Sequence, residues 1–303
     1  MQFDPNFTVN LVNSLNNAQA NSQQLSSELS SGVRVTSLSD DPVAAGENVV
    51  LLNQIEEDDS FTTSSNLVTG QLQVADSSLG SVVTELTSAI SLATSANNGT
   101  MNSSDVKSIS SQIAGILDEV ESLANTSYQG QYIFAGSQTS TAPFSTSSST
   151  SPAVTSYNGD QDVSYLEAPN GQKIQLNVPG SQIFLGSGSN SVFAALNSLV
   201  ADYASGTVNT TQAVSDTQAL STALNYVSQQ RVTVDNSMSQ VTAASNAATS
   251  DKTQLTAAQT DLLQADVAQV STQLSLSETQ QTALEDVIAQ MESSSNSLFA
   301  KLA

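Results

Sequence analysis

Residues 61–93 read FTTSSNLVTGQLQVADSSLGSVVTELTSAISLA. Within them Phe61, Ser65, Val68, Leu72, Ala75, Leu79, Val82, Leu86, Ala89 and Ala93 recur at alternating steps of four and three residues. That spacing keeps small and apolar side chains on one narrow stripe of an α-helix, the pattern of helix-on-helix packing. Just upstream, Asp40-Asp41-Pro42 offers a capping carboxylate ahead of a proline at a first helical position, where its missing N–H costs nothing. Downstream, Asn97-Asn98-Gly99 ends the run and Ser103-Ser104-Asp105 opens another. The spacing therefore predicts one helix from about Pro42 to Ala96, roughly 80 Å long. A helix of that length is useful only in an elongated bundle or a coiled coil.

The same alternation appears in four other stretches. Near the N-terminus it runs Leu11, Leu15, Ala18, Ser22, Leu25, Leu29, Gly32; then Val106, Ile109, Ile113, Ile116, Val120, Leu123; then Leu220, Leu224, Val227, Arg231, Val234, Met238, Val241. The last begins at Leu263, Val267, Val270 and Leu274 and continues through Ser277, Gln281, Leu284, Ile288, Met291, Ser295, Leu298 and Leu302. Between Gln138 and Ser191 the pattern changes. Thr139 to Pro152 is a Ser/Thr-rich low-complexity run expected to be loop. Val163 with Tyr165, and Ile174, Leu176 and Val178, then alternate with period two, and Asn158-Gly159 and Asn170-Gly171 are strong hairpin-turn signals. The expected fold is mainly α, an elongated antiparallel helical bundle or coiled-coil rod formed by both chain ends, with a small inserted β domain. Its expected parts are terminal coiled-coil assembly helices at 1–41 and 263–303, a helical rod at 42–137 and 192–262, and a β-hairpin insert at 138–191.

Composition excludes much chemistry. The 303 residues include no histidine and no cysteine, so a Ser-His-Asp or Cys-His system and ordinary zinc or iron-sulfur sites lack their base or ligands. With 28 acidic against 6 basic residues and a net charge of -22, there are too few cations to neutralise nucleic-acid phosphates, and an anionic membrane surface is repelled. No cofactor is expected. Arg34 is the first basic residue and no apolar run of signal-peptide length precedes it, so a Sec-type leader is not expected. No stretch approaches the roughly 20 apolar residues of a membrane span. Protonating every carboxylate would leave only about six positive side chains, so assembly tolerant of acid is expected.

Candidate functional residues follow from the terminal stripes. Leu11, Leu15, Leu25 and Leu29 near one end, with Leu263, Val267, Val270, Leu274, Leu284, Ile288, Met291, Leu298 and Leu302 near the other, suit an intersubunit surface, because their length exceeds what one small core needs. Ordinary intrachain core is the alternative. Arg34 either locks subunits, docks the following loop against Asp40 or Asp41, or stands solvated and contributes little. Asp40, Asp41 and Pro42 read as a helix cap rather than a catalytic carboxylate pair. Glu56-Glu57-Asp58-Asp59 reads as a solvated acidic face, since successive helical residues point in different directions. Asp160 and Asp162 beside Asn158-Gly159 read as part of a hairpin turn rather than a calcium loop. The Ser/Thr run at 145–151 is a possible acceptor of O-linked sugar.

Leu29-Ser30-Ser31-Gly32-Val33-Arg34, followed by Ser39-Asp40-Asp41-Pro42-Val43-Ala44, resembles the N-terminal region of bacterial flagellins. Ala265-Asp266-Val267-Ala268, Ser277–Leu284 and Ser297-Leu298-Phe299 resemble the matching C-terminal region. Within that superfamily, Gly130-Gln131-Tyr132-Ile133-Phe134-Ala135-Gly136, Thr141-Ala142-Pro143-Phe144, Tyr157-Asn158-Gly159-Asp160 and Pro179–Phe184 are similar to the hook-filament junction family. The resemblance implies a non-enzymatic structural protein of the extracellular bacterial flagellum, joining hook to filament as a homo-oligomeric ring. Implied partners are the other junction protein, flagellin, and an export chaperone on the C-terminal helix. Implied export is through the flagellar type III channel, without a cleaved Sec signal and without membrane insertion. Filament flagellin is the alternative, and a cell-surface binding module a further one. The insert of some 50 residues is too small for a walled catalytic cleft.

Overall fold

The computed structural model describes residues 5–147, 154–186 and 191–302. In chain order the elements are α1 (Pro5–Ser31), α2 (Pro42–Asn97), α3 (Ser103–Ala124), β1 (Ser127–Tyr128), β2 (Gln131–Tyr132), β3 (Phe144–Ser147), β4 (Val154–Tyr157), β5 (Tyr165–Glu167), β6 (Lys173–Gln175), α4 (Val192–Ala204), α5 (Thr210–Leu263) and α6 (Val267–Leu302), with one π-helical turn at Ser181–Leu185. The fold is mainly α, with strands only in three antiparallel pairs, β1–β2, β3–β4 and β5–β6. Two compact units emerge, a terminal one from residues 1–56 and 252–303 and a central one from residues 57–251.

The central unit holds the main core. On α2 the 3-4 stripe from Val68 to Ala93 is buried throughout, meeting Val106, Ile109, Ile113 and Val120 of α3 and Leu220, Val227, Val234 and Val241 of α5. Within this unit α2 and α5 run antiparallel, because Asp76 meets Arg231 while Asn97, twenty-one residues on, meets Thr217. Arg231 occupies a stripe position yet is not core. Its Nε and Nη2 donate to the two Asp76 oxygens at 2.5 and 3.1 Å, a bidentate pair that holds the Asp76 carboxyl below its usual range. Asn102 caps α3, accepting from the N–H groups of Ser104 and Asp105 at 2.9 and 3.0 Å, and so satisfies two otherwise orphaned donors.

Around one end of α3 and α4 the insert adds a cluster of rings. Phe144 lies 5.1 Å from Tyr157, 5.3 Å from Phe184 and 5.1 Å from Phe193, centroid to centroid. Two expectations fail here. Residues 144–147, within the low-complexity run, form strand β3 paired with β4, because Phe144 has a buried site to fill; residues 148–152 lie outside the described residues. Asn158-Gly159 does not join paired strands either. β4 pairs back to β3, and the chain after it is captured by the segment Ala135–Ser137. Asp160 donates its N–H to the Ala135 carbonyl at 3.1 Å, and its carboxylate accepts from the Ser137 N–H at 2.7 Å and from the Ser137 hydroxyl. Gly136, at φ +70°, makes this approach possible, since a Cβ there would sit 2.6 Å from the Asp160 carbonyl oxygen. Asn170-Gly171 does lie in the turn between the paired strands β5 and β6.

Candidate assembly interface

The terminal unit is built on α1 and α6. The Ser277 hydroxyl, buried at 2% exposure, donates to the Ala18 carbonyl at 3.2 Å, while Leu25 packs with Ala265 and Val270. Rising numbers on α1 meet falling numbers on α6, so the two helices are antiparallel. At the end of α1, Gly32 takes a left-handed φ of +69°, which a residue with a Cβ adopts at a cost. The chain beyond it pairs with the break between α5 and α6: Arg34 N–H donates to the Leu263 carbonyl at 2.7 Å, and Ala265 N–H to the Gly32 carbonyl at 2.9 Å. Asp266 then caps α6, accepting from the N–H groups of Ala268 and Gln269 at 3.0 and 3.1 Å.

Arg34 donates from Nη1 to Asp41 Oδ2 at 3.0 Å and from Nη2 to the Leu262 carbonyl at 3.5 Å. The other Asp41 oxygen caps α2, accepting from the N–H groups of Val43 and Ala44 at 3.2 and 3.1 Å. The Ala44 backbone N–H first, and then the Arg34 guanidinium, hold the Asp41 carboxyl below its usual range. Pro42 is the first residue of α2. Asp40 does not share in the cap. Its carboxylate gathers the N–H groups of Ser37 and Thr36 at 2.8 and 3.0 Å, together with both hydroxyls, and so shapes the loop before the helix.

Of the stripe residues, Leu25 and Val270 are buried within the chain. Leu11, Leu15, Leu29, Leu263, Leu274, Leu284, Ile288 and Met291 are partly covered, and Val267 is 54% exposed. The side chains of Leu298 and Leu302 lie outside the described residues. The α1–α6 pair thus uses much of the stripe within one chain, and other apolar side chains remain open: Val9 and Val12 on α1, Leu276 and Val287 on α6. Leu276 and Val287, eleven residues apart, share one helix face. No long repeat marks these four positions in the sequence, since each is a single valine or leucine outside the 3-4 stripe. An open groove of about 660 Å³ also runs between the helices, lined by Ala18 and Asn21 on one side and Ala283 and Leu284 on the other.

Titratable groups in the central unit depart from expectation. Asp58 is 3% exposed rather than part of a solvated face, because its helix turns that one carboxylate of the run inward. Burial, then Asp251, raises its pKa. Asp202 is pushed up to about 6 by burial and by sharing a hydrogen bond with Asp216. Among the described residues, no group of three or more acidic residues could hold a metal ion, and no helix is long and apolar enough to cross a membrane.

Residues 6–139 match the family described as the bacterial flagellin N-terminal helical region. Flagellar hook-associated protein 3 of Salmonella typhimurium is 32% identical over 164 residues, covering 54% of this chain and 50% of that protein. The Escherichia coli protein of the same name is 38% identical over 117 residues, or 38% of this chain and 37% of the relative. The chain therefore spans half or less of the curated relatives it matches. In fold it is similar to a Vibrio parahaemolyticus protein described as flagellar hook-associated, at TM-score 0.67 and 20% identity, covering 74% of this chain and 100% of the other. It is also similar to the flagellar junction protein FlgL of Legionella pneumophila, at TM-score 0.58 and 14% identity, covering 72% and 100%. The Gly32 turn and the Asp41 cap fall inside the matched helical region, and the likeness of the chain runs to flagellar hook-associated protein 3.

Proposed function

We propose that this chain is a structural, non-enzymatic protein of the bacterial flagellum, joining hook to filament as a ring of identical subunits outside the cell. The observation that carries this reading is the incompletely covered α1–α6 pair. A half-buried stripe, an open groove and the exposed side chains of Val9, Val12, Leu276 and Val287 leave apolar area that neighbouring copies would remove from water. The names of the Salmonella and Escherichia relatives support the location. Leu11, Leu15, Leu284, Ile288 and Met291 then act on both sides of the hairpin, within the chain and across subunits, and Arg34 positions the loop between them. The terminal helices also suit export in an unfolded state through the flagellar type III channel, with a chaperone on residues 263–303. The other junction protein lies on one side of the ring and flagellin on the other.

Deleting residues 263–303 tests the reading. The central unit should stay folded while incorporation at the hook is lost, and electron microscopy of a strain lacking the gene should show hooks without filaments and flagellin monomers released to the medium. Filaments still joined to hooks by the truncated protein would overturn it. Filament flagellin is the second reading, favoured by the match to the flagellin helical region. Immunogold labelling separates the two, since a junction protein marks one band next to the hook and a flagellin the whole filament.

A further inference from the structure

The turn between β5 and β6 meets α2 and α5 at a cavity of about 320 Å³, lined by Asp58, Ala168, Pro169, Asn170, Ala248 and Asp251 among others. Asp58 is almost wholly buried, and its Oδ2 accepts no hydrogen bond from the protein. A buried carboxylate oxygen without a donor is costly. The charged groups that act on it, Asp251 from α5 and Glu57 and Asp59 from its own helix, are all acidic. Next to the cavity Ala168 packs on Phe61 and Ala248, with Leu166 and Ala244 beside them, while Ile174 of β6 is fully buried in the main core. A carboxylate turned inward, facing a second one, beneath the tip of the hairpin is an arrangement that a positive ion would complete.

We infer that this cavity is a low-affinity site for a hard divalent cation, with Asp58 and Asp251 as its charged ligands and the Asn170 side-chain oxygen at its rim. Asn170 Oδ1 accepts the Gln172 N–H at 3.0 Å and keeps a second lone pair for the ion. Two carboxylates and an amide are fewer protein ligands than a tight calcium loop uses, so water fills the remaining positions and the affinity falls near the millimolar range typical of weak calcium modules. Binding would tie the β5–β6 hairpin to the helix pair.

The test uses the full chain, titrated with calcium chloride and, in parallel, with sodium chloride of matched ionic strength to remove general screening of the acidic surface. Hydrogen exchange of residues 165–175 is the readout. Calcium should slow it saturably in the wild type, and Asp58→Asn and Asp251→Asn should each weaken the apparent affinity roughly tenfold or more. Equal effects of the two salts, or variants that respond as the wild type does, would overturn the site. So would a wild type indifferent to calcium whose hairpin is slowed by Asp58→Asn alone, which would mean that the carboxyl simply holds a proton. If Asp58→Asn does not fold, Asp251→Asn, at an exposed position, carries the test.

Discussion

Leu79 and Leu284 stand at equivalent places in the same kind of stripe, yet their surroundings differ. Leu79 has 0% exposure, in a core drawn from α2, α3, α4, α5 and the insert. Leu284 is only partly covered, with an open groove beside it. Among the described residues, the apolar cluster of the terminal unit is Leu25, Ala265 and Val270, with Leu29 and Leu274 packed on them. An apolar period identifies which face of a helix seeks cover; the number of neighbouring elements sets how much it finds. Since fully burying a leucine is worth about 1.5–3 kcal/mol, the central unit has reason to fold alone, whereas α1 and α6 recover that free energy only with further helices against them.

The contrast can be broken most directly by native-state hydrogen exchange. Amides of residues 68–93 should open only with global unfolding, while those of α1 and of α6 beyond Val270 should open at free energies lower by about 5 kcal/mol. Equal protection in the monomer would erase the contrast between the two units. Next in size is Leu79→Ala, expected to cost about 3 kcal/mol in chemical denaturation through loss of burial and a residual cavity. Leu25→Ala should leave that main transition nearly unmoved, and a comparable loss from it would make the two units a single cooperative one.

A smaller effect comes from Asp202. Its folded pKa of about 6 lies above the ordinary 3.8, so the folded state binds the proton more tightly than the unfolded chain does. The resulting stability is fully present below about pH 4 and is lost as pH rises through 6. Asp202→Asn should flatten that slope and raise stability at pH 8 by about 1 kcal/mol after allowance for solvent screening. Wild-type melting midpoints that do not fall between pH 4 and 7 would contradict this. The smallest change is expected from Arg34→Ala, whose partly exposed pair with Asp41 should add little to the stability of the free chain. Its effect should appear instead in the rate of incorporation at the hook, measured in cells, and a variant that assembles at the wild-type rate would remove Arg34 from the interface.

Legibility in the sequence followed locality. The α2 stripe and the Asn170-Gly171 turn could be read because each depends on residues close in the chain. Asn158-Gly159 misled because Asp160 is captured by Ser137, 23 residues away, and a tertiary carboxylate bond outweighs a local turn preference. Arg231 fitted the heptad count but answers to Asp76, 155 residues distant. Asp58 was hidden by its acidic neighbours, since only the helix's angular placement separates the one inward carboxylate from three outward ones. The α1–α6 pair was half legible: its helices were plain, but which side chains they would bury against each other was not.

Periodicity and caps were enough to establish a helical chain with a small β insert, and the absence of imidazole and thiol excluded the chemistry that needs them, because these properties follow from single residues and short-range spacing. Which stripe residues are covered within the chain, which apolar side chains stay exposed, and where carboxylates meet beneath the hairpin all depend on how elements distant in sequence come together. Local rules set what each helix can offer; packing sets what remains exposed.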